Sequence, residues 1–183
     1  MEDNVLINDE IKLNKRLEKL KTILNAKTLV LKVALAIGLG YLVLTYCFGL
    51  NRMSGTSMAP NISDGDLIIS YKIDKIYNRG DIVTFNKYNK RFVLRVVAIE
   101  GDVVDINEDK ELLINNHVEN NKVYYSTIIP EESSITYPYP VKSGEVFVVG
   151  DYRYDTYDSR TFGGINTQDI EGKVLSILRT KDI

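Results

Sequence analysis

Hydrophobic and polar positions divide the chain into three stretches with different periods. Between Val5 and Ala26, leucines recur at Leu13, Leu17, Leu20 and Leu24. Steps of four, three and four predict a helix with one apolar stripe. From Thr28 to Leu50 polar positions almost vanish, in the run TLVLKVALAIGLGYLVLTYCFGL. That run exceeds the roughly 20 residues a helix needs to cross a bilayer core. Lys32 sits near its start, where the stem can snorkel, and Tyr46 near its end can anchor at the interface. After Arg52 the period shortens again. Strand-like runs are expected at Asp66–Ile73, Asp81–Phe85, Arg91–Glu100, Val103–Ile106, Glu111–Ile114, Val118–Tyr124, Glu145–Val149 and Lys173–Leu178, punctuated by glycines. Strands this numerous, without intervening helical periodicity, predict a mainly β, antiparallel domain behind one N-terminal transmembrane helix. Val103 to Val123 reads as a hairpin turning at Asn107-Glu108-Asp109, and Thr127–Val141 as a surface excursion with Pro130, Pro138 and Pro140. The expected organisation is a cytoplasmic amphipathic segment at 1–27, a spanning helix at 28–50 and an extracytoplasmic domain at 51–183.

Charge orients this arrangement. Lys12, Lys15, Arg16, Lys19, Lys21 and Lys27 precede the apolar run, and only Arg52 follows it closely. The positive-inside rule places the N-terminus in the cytoplasm and the β domain outside, in a single-pass protein of the cytoplasmic membrane. A cleaved signal peptide fits poorly, because the run outlasts a usual h-region and no small-x-small site follows. The leucine stripe suits either a partner helix or a helix lying on the inner leaflet in contact with membrane lipid. The second is the expectation at this length.

Composition then removes several function classes. The 183 residues carry a net charge of -2, which gives no electrostatic footprint for nucleic acid. Cys47 is the only cysteine and His117 the only histidine, so an internal disulfide, a thiolate cluster and a multi-histidine metal site are excluded. No calcium-type loop stands out, and neither a metal nor a cofactor is expected. Ser57 is the candidate centre. It lies in Ser54-Gly55-Thr56-Ser57-Met58-Ala59-Pro60, about seven residues beyond the spanning run. A serine needs a base to become a nucleophile.

Four blocks resemble the type I signal peptidases of bacteria, in their short Gram-positive form. They are Gly55-Thr56-Ser57-Met58-Ala59-Pro60, Arg79-Gly80-Asp81-Ile82-Val83, Leu94 to Asp102 (LRVVAIEGD), and Gly150 to Arg160 (GDYRYDTYDSR) followed by Phe162-Gly163. The resemblance implies a membrane-bound serine endopeptidase with a serine–lysine dyad, whose lysine is buried and deprotonated. That lysine would directly precede Arg95, where this chain has Leu94. Leucine accepts no proton. Lys90 would share Leu94's strand face, but four steps of about 3.3 Å put it roughly 13 Å away, so it reads as an exposed turn lysine. His117 reads as a solvated histidine off the site. Asp158 matches the aspartate that supports the lysine and would alone be a poor base for peptide cleavage.

The remaining positions follow the family more closely. Thr156 replaces the serine that hydrogen-bonds the lysine, Arg160 matches the arginine that organises Asp158, and Arg153 matches a second arginine of that block. Gly55 offers no side-chain hydroxyl to an oxyanion, so the Ser57 N–H would be the main donor. The resemblance also implies that substrate adds as an extended strand, with shallow pockets selecting small side chains. Here it would lie between Met53, Gly55, Thr56, Met58 and Pro60 on one side and Ile82, Val83 and Phe85 on the other, along the edges Met53–Thr56 and Ile82–Phe85. Two functions follow. One is cleavage of signal peptides of secreted proteins after small residues. The other is a catalytically inactive relative that binds extended peptides as a chaperone or assembly factor, as some pilus-associated relatives do, with pilus components as partners.

Overall fold

A computed structural model describes residues 2–119, 126–131, 133–155 and 157–179, with side chains from residue 12 onward. It separates into two compact units, Met1–Thr45 and Tyr46–Ile183. The first is a single helix, α1 (Glu2–Cys47), so the leucine-striped and apolar segments are one continuous element. From Lys12 to Cys47 it is long and apolar enough to cross a membrane. It ends before the expected boundary. Phe48–Leu50, apolar enough to be counted with the spanning run, instead opens strand β1 (Phe48–Arg52). Gly49 explains part of this: it is a poor helix residue, and a Cβ there would meet Ser70 Oγ of the next strand at 2.7 Å.

The strands of the second unit are all paired antiparallel, as the strand-like runs predict. Its strands are β2 (Leu67–Tyr71), β3 (Ile82–Lys87), β4 (Lys90–Ile99), β5 (Val103–Ile106), β6 (Leu112–Ile114), β7 (His117–Val118), β8 (Tyr139–Pro140), β9 (Glu145–Val149), β10 (Ile165–Asn166) and β11 (Ile170–Leu178), with a short helix α2 (Ser159–Phe162). Seven strands form one sheet in the order β1-β2-β11-β3-β4-β9-β10, and four form another in the order β7-β6-β5-β8. β4 organises the core because its residues enter three apolar clusters. Phe92, Leu94 and Val96 join Val83, Phe85, Val148 and Ile170. Val97 and Ala98 join Val104, Leu112, Phe147 and Val149. Val93 joins Met53, Met58, Ile62 and Ile68.

Two turns pair neighbouring strands. Tyr88 and Asn89, both at positive φ (51° and 57°), make the two-residue loop between β3 and β4. Asn115 and Asn116 (φ 53° and 65°) do the same between β6 and β7. The expected single hairpin from Val103 is therefore a meander. β6 is its return arm, and His117 opens a third strand; the rest of the expected run Val118–Tyr124, from residue 120 on, lies outside the described residues. The expected surface excursion is also more structural than its prolines suggest. Thr127 and Val141 are buried, and Tyr139–Pro140 pairs with Val103 and Val104 as β8.

Candidate active site

The loop carrying Ser57 is fixed from beneath by apolar side chains. Met53, Met58 and Ile62 are buried together against Ile68 and Val93. One helical turn, with Ile62 N donating to Met58 O at 2.9 Å, brings two of these anchors to the same side. Gly55 sits at φ +90°, a region that favours glycine, and its N–H donates to Asp64 Oδ1 at 2.9 Å. With the neighbours clamped, Ser57 is left half-buried at the surface. Its carbonyl accepts from Tyr152 N at 3.0 Å. Neither its N–H nor its Oγ makes a hydrogen bond among the described residues. The N–H is thus left as a donor that an oxyanion could use, and the hydroxyl as a group that could attack.

Gly150 joins this loop to β4. A Cβ on Gly150 would lie 2.5 Å from Ser57 O and 3.7 Å from Leu94 Cδ2. Leu94 therefore does stand next to the serine. It is 1% exposed and packed in the apolar cluster of Val83, Phe85, Phe92 and Val148.

Behind Gly150 lies a buried charged knot. Asp158, the N-cap of α2, accepts from Gly150 N at 3.1 Å and from Arg160 N at 3.0 Å. Its carboxylate also takes Arg160 Nε at 2.9 Å and Nη2 at 2.7 Å. Arg160 is fully buried, and its Nη1 donates to Ile128 O at 2.9 Å and Arg153 O at 2.8 Å. Its Nη2 further reaches Asp155 O, so all five guanidinium hydrogens find acceptors. Asp158 is thereby saturated and aimed at arginine rather than at Ser57. Arg153, also buried, pairs with Glu119 at 2.5 Å. Arg95 clamps Asp151 bidentately at 2.8 and 2.6 Å, and Asp151 Oδ2 also accepts from Asn61 Nδ2 at 2.8 Å. The hydrogen bond to Asp151 raises the Arg95 pKa further above its ordinary value. Thr156 lies outside the described residues.

A cleft of about 70 Å³ opens beside Ser57. It is lined by Arg52, Ser54, Gly55 and Thr56 on one side, by Lys90 to Val93 of β4 on another, and by Asp155 and Tyr157. β4 gives this cleft a strand edge. The two-residue turn makes Lys87 and Lys90 the closing pair, so Phe92 and Leu94 turn their backbone groups toward β3. Arg91 and Val93 turn theirs the other way, where β9 pairs only from Arg95 onward.

This placement redistributes the sequence expectations. Of the substrate positions, Gly55 and Thr56 line the cleft. Met53 and Met58 lie beneath it as anchors, Pro60 is exposed outside it, and Ile82 packs at the edge of the anchor cluster. Val83 and Phe85 are buried in the core. The edge expected along Ile82–Phe85 is a correction. β3 pairs with β4 on one side and with β11 on the other, so no edge is free there. Lys90 is exposed, as read, but it opens strand β4 rather than lying in the turn, and it lines the cleft. The 13 Å argument measured its distance from Leu94 along the strand, whereas the cleft itself runs along that strand. Lys90, Arg91, Phe92, Val93, Asp155 and Tyr157 were missed. The signal that could have found them is the Tyr88-Asn89 turn, which fixes the register and hence the free edge. His117 is exposed on β7, contacts Asn115 O through Nδ1 at 2.8 Å, and does not line the cleft.

The model of the family described as signal peptidase, peptidase S26, matches residues 26–178. Signal peptidase I U of Bacillus subtilis (strain 168) is 29% identical over 166 residues, covering 85% of each chain. Signal peptidase I of Bacillus licheniformis is 29% identical over 144 residues, covering 73% of this chain and 77% of its own. A solved signal peptidase I from Enterococcus faecalis V583 superposes with a TM-score of 0.42 at 27% identity, covering 55% of this chain and 97% of that one.

Proposed function

Because the chain belongs to the signal peptidase family, peptidase S26, we propose that it binds the small-residue segment of a secreted precursor beside Ser57 and does not hydrolyse it. Leu94 carries this reading. Where the family resemblance calls for a proton acceptor, an alkyl group packs in the core against Gly150. Asp158 gives no substitute, since Arg160 and Gly150 N occupy its oxygens. Absence of a general base typically slows such a reaction by about 10² to 10⁴, and removal of a member of a coupled catalytic set by more. Binding needs none of this chemistry. The open edge at Arg91 and Val93 can take a peptide backbone by strand addition. A membrane anchor at α1, with the N-terminus inside and the β domain outside, would hold this groove where secreted precursors emerge. A chaperone or assembly role, with pilus components among its clients, fits a binder without hydrolysis.

The second reading is cleavage, and the unengaged hydroxyl and N–H of Ser57 favour it. Purified full-length protein in detergent, given a signal-bearing precursor, separates the two. The chain itself is expected to bind without cutting, and Leu94→Lys to gain cleavage that Ser57→Ala abolishes in that background. Cleavage by the unaltered chain that disappears in Ser57→Ala would overturn the binding-only reading.

A further inference from the structure

The cleft beside Ser57 holds more positive charge than its own acids balance. Arg52, Lys90 and Arg91 line it against a single carboxylate, Asp155. Arg91 is committed elsewhere, with Nε 3.2 Å from Glu171 Oε2 and Nη1 donating to Asn51 Oδ1 at 2.6 Å. Arg52 and Lys90 make no ion pair among the described residues.

Lys90 is nonetheless held in place. Its ammonium lies 5.5 Å from the Phe92 ring centroid and 6.0 Å from that of Tyr157. The two rings stack at 5.7 Å with 25° between their planes, forming a platform on the cleft wall. Ring faces attract a cation without neutralising it. A peptide laid along the free edge of β4 would cover this ammonium and the neighbouring Arg52. Covering a cation is unfavourable unless an anion meets it.

We propose that the groove selects peptides with an acidic side chain, read by Lys90 and Arg52, near the small residue facing Ser57. Lys90, Arg52 and Ser57 line one cleft, so the acidic position lies within a few residues of that small residue. This narrows the substrate class of the binding site argued above and rests on that reading. Tyr157 has a supporting part, since its ring holds the ammonium over the cleft.

The test uses full-length protein in detergent and fluorescein-labelled peptides that share a small-residue centre. They carry Glu, Gln or Lys at the flanking position, and anisotropy is read at low and moderate salt. The Glu peptide is expected to bind about three- to ten-fold more tightly than the Gln peptide, with the ratio shrinking as salt rises. The double variant Arg52→Gln/Lys90→Gln should bring that ratio to about one, while Lys90→Arg keeps it. Equal binding of Glu and Gln peptides, or a preference that survives the double variant, overturns the proposal and leaves the groove reading standing. If no peptide of the panel binds, the groove reading itself fails and the charge reading falls with it.

Discussion

The Ser57 loop and the β4 segment around Leu94 approach Gly150 from two sides, the first through polar backbone contacts and the second through an apolar side chain. On one side, Ser57 O is fixed by Tyr152 N, and the glycine's own N–H goes to Asp158, which Arg160 saturates. On the other, the Leu94 side chain meets only apolar neighbours, Val83, Phe85, Phe92 and Val148. A lysine at position 94 would bring a polar group into that apolar cluster and need a partner there. Leucine needs none, and Asp158 is not orphaned, because Arg160 already meets its oxygens. The polar contacts around Asp158 therefore hold together with no polar side chain at position 94.

The largest test of this contrast breaks the polar side. Asp158→Ala leaves Arg160 buried without its carboxylate, and removing one partner of such a pair costs about 3–5 kcal/mol. Denaturant unfolding should show that loss. A change under about 1 kcal/mol would mean that the carbonyls of Ile128, Arg153 and Asp155 suffice for Arg160. The apolar side comes next. Leu94→Ala should cost about 2–5 kcal/mol by cavity formation, whereas Ser57→Ala, half-buried and without hydrogen bonds from its hydroxyl, should stay within about 0.5 kcal/mol. Equal effects at the two positions would erase the distinction between a packed residue and a functional one.

Much of this site was legible in the chain because its signals are local. Strand-like runs between turn glycines marked β2, β3, β4, β5, β6, β9 and β11, and residues of the blocks around Ser57, Arg95 and Asp158 meet around Gly150 and Asp151. Non-local facts were not legible. Phe48-Gly49-Leu50 is as apolar as the helix before it, so composition could not show that it pairs with Ile69 to Tyr71 as β1. β3 carries the same alternation whether it lies inside a sheet or at its rim, so its pairing with β11, nearly ninety positions on, was invisible. The proline-marked segment 127–141 looked like surface, because nothing in its sequence says that Ile128 O receives Arg160. Lys90 illustrates the same limit. Strand spacing separates it from Leu94, but the course of the cleft depends on which edge of β4 stays unpaired.

The finest test concerns the glycine itself. Gly150 does not owe its identity to backbone conformation, since it is not among the positive-φ glycines. It owes it to space: a Cβ would sit 2.5 Å from Ser57 O, a backbone atom held by Tyr152 N. Gly150→Ala must therefore displace either the Ser57 loop or the β9–α2 connection. Overpacking of this kind costs about 1–3 kcal/mol. The loop is the side that should move, because Gly150 is tied to the buried Asp158–Arg160 knot by a hydrogen bond. Peptide affinity would then fall more than unfolding stability does. The check is to measure both on one variant, with Leu94→Ala beside it as the case in which packing is lost and the loop is spared. If Gly150→Ala weakens folding yet leaves peptide binding unchanged, the connection has yielded instead, and Ser57 is set by its Met53, Met58 and Ile62 anchors rather than by the glycine.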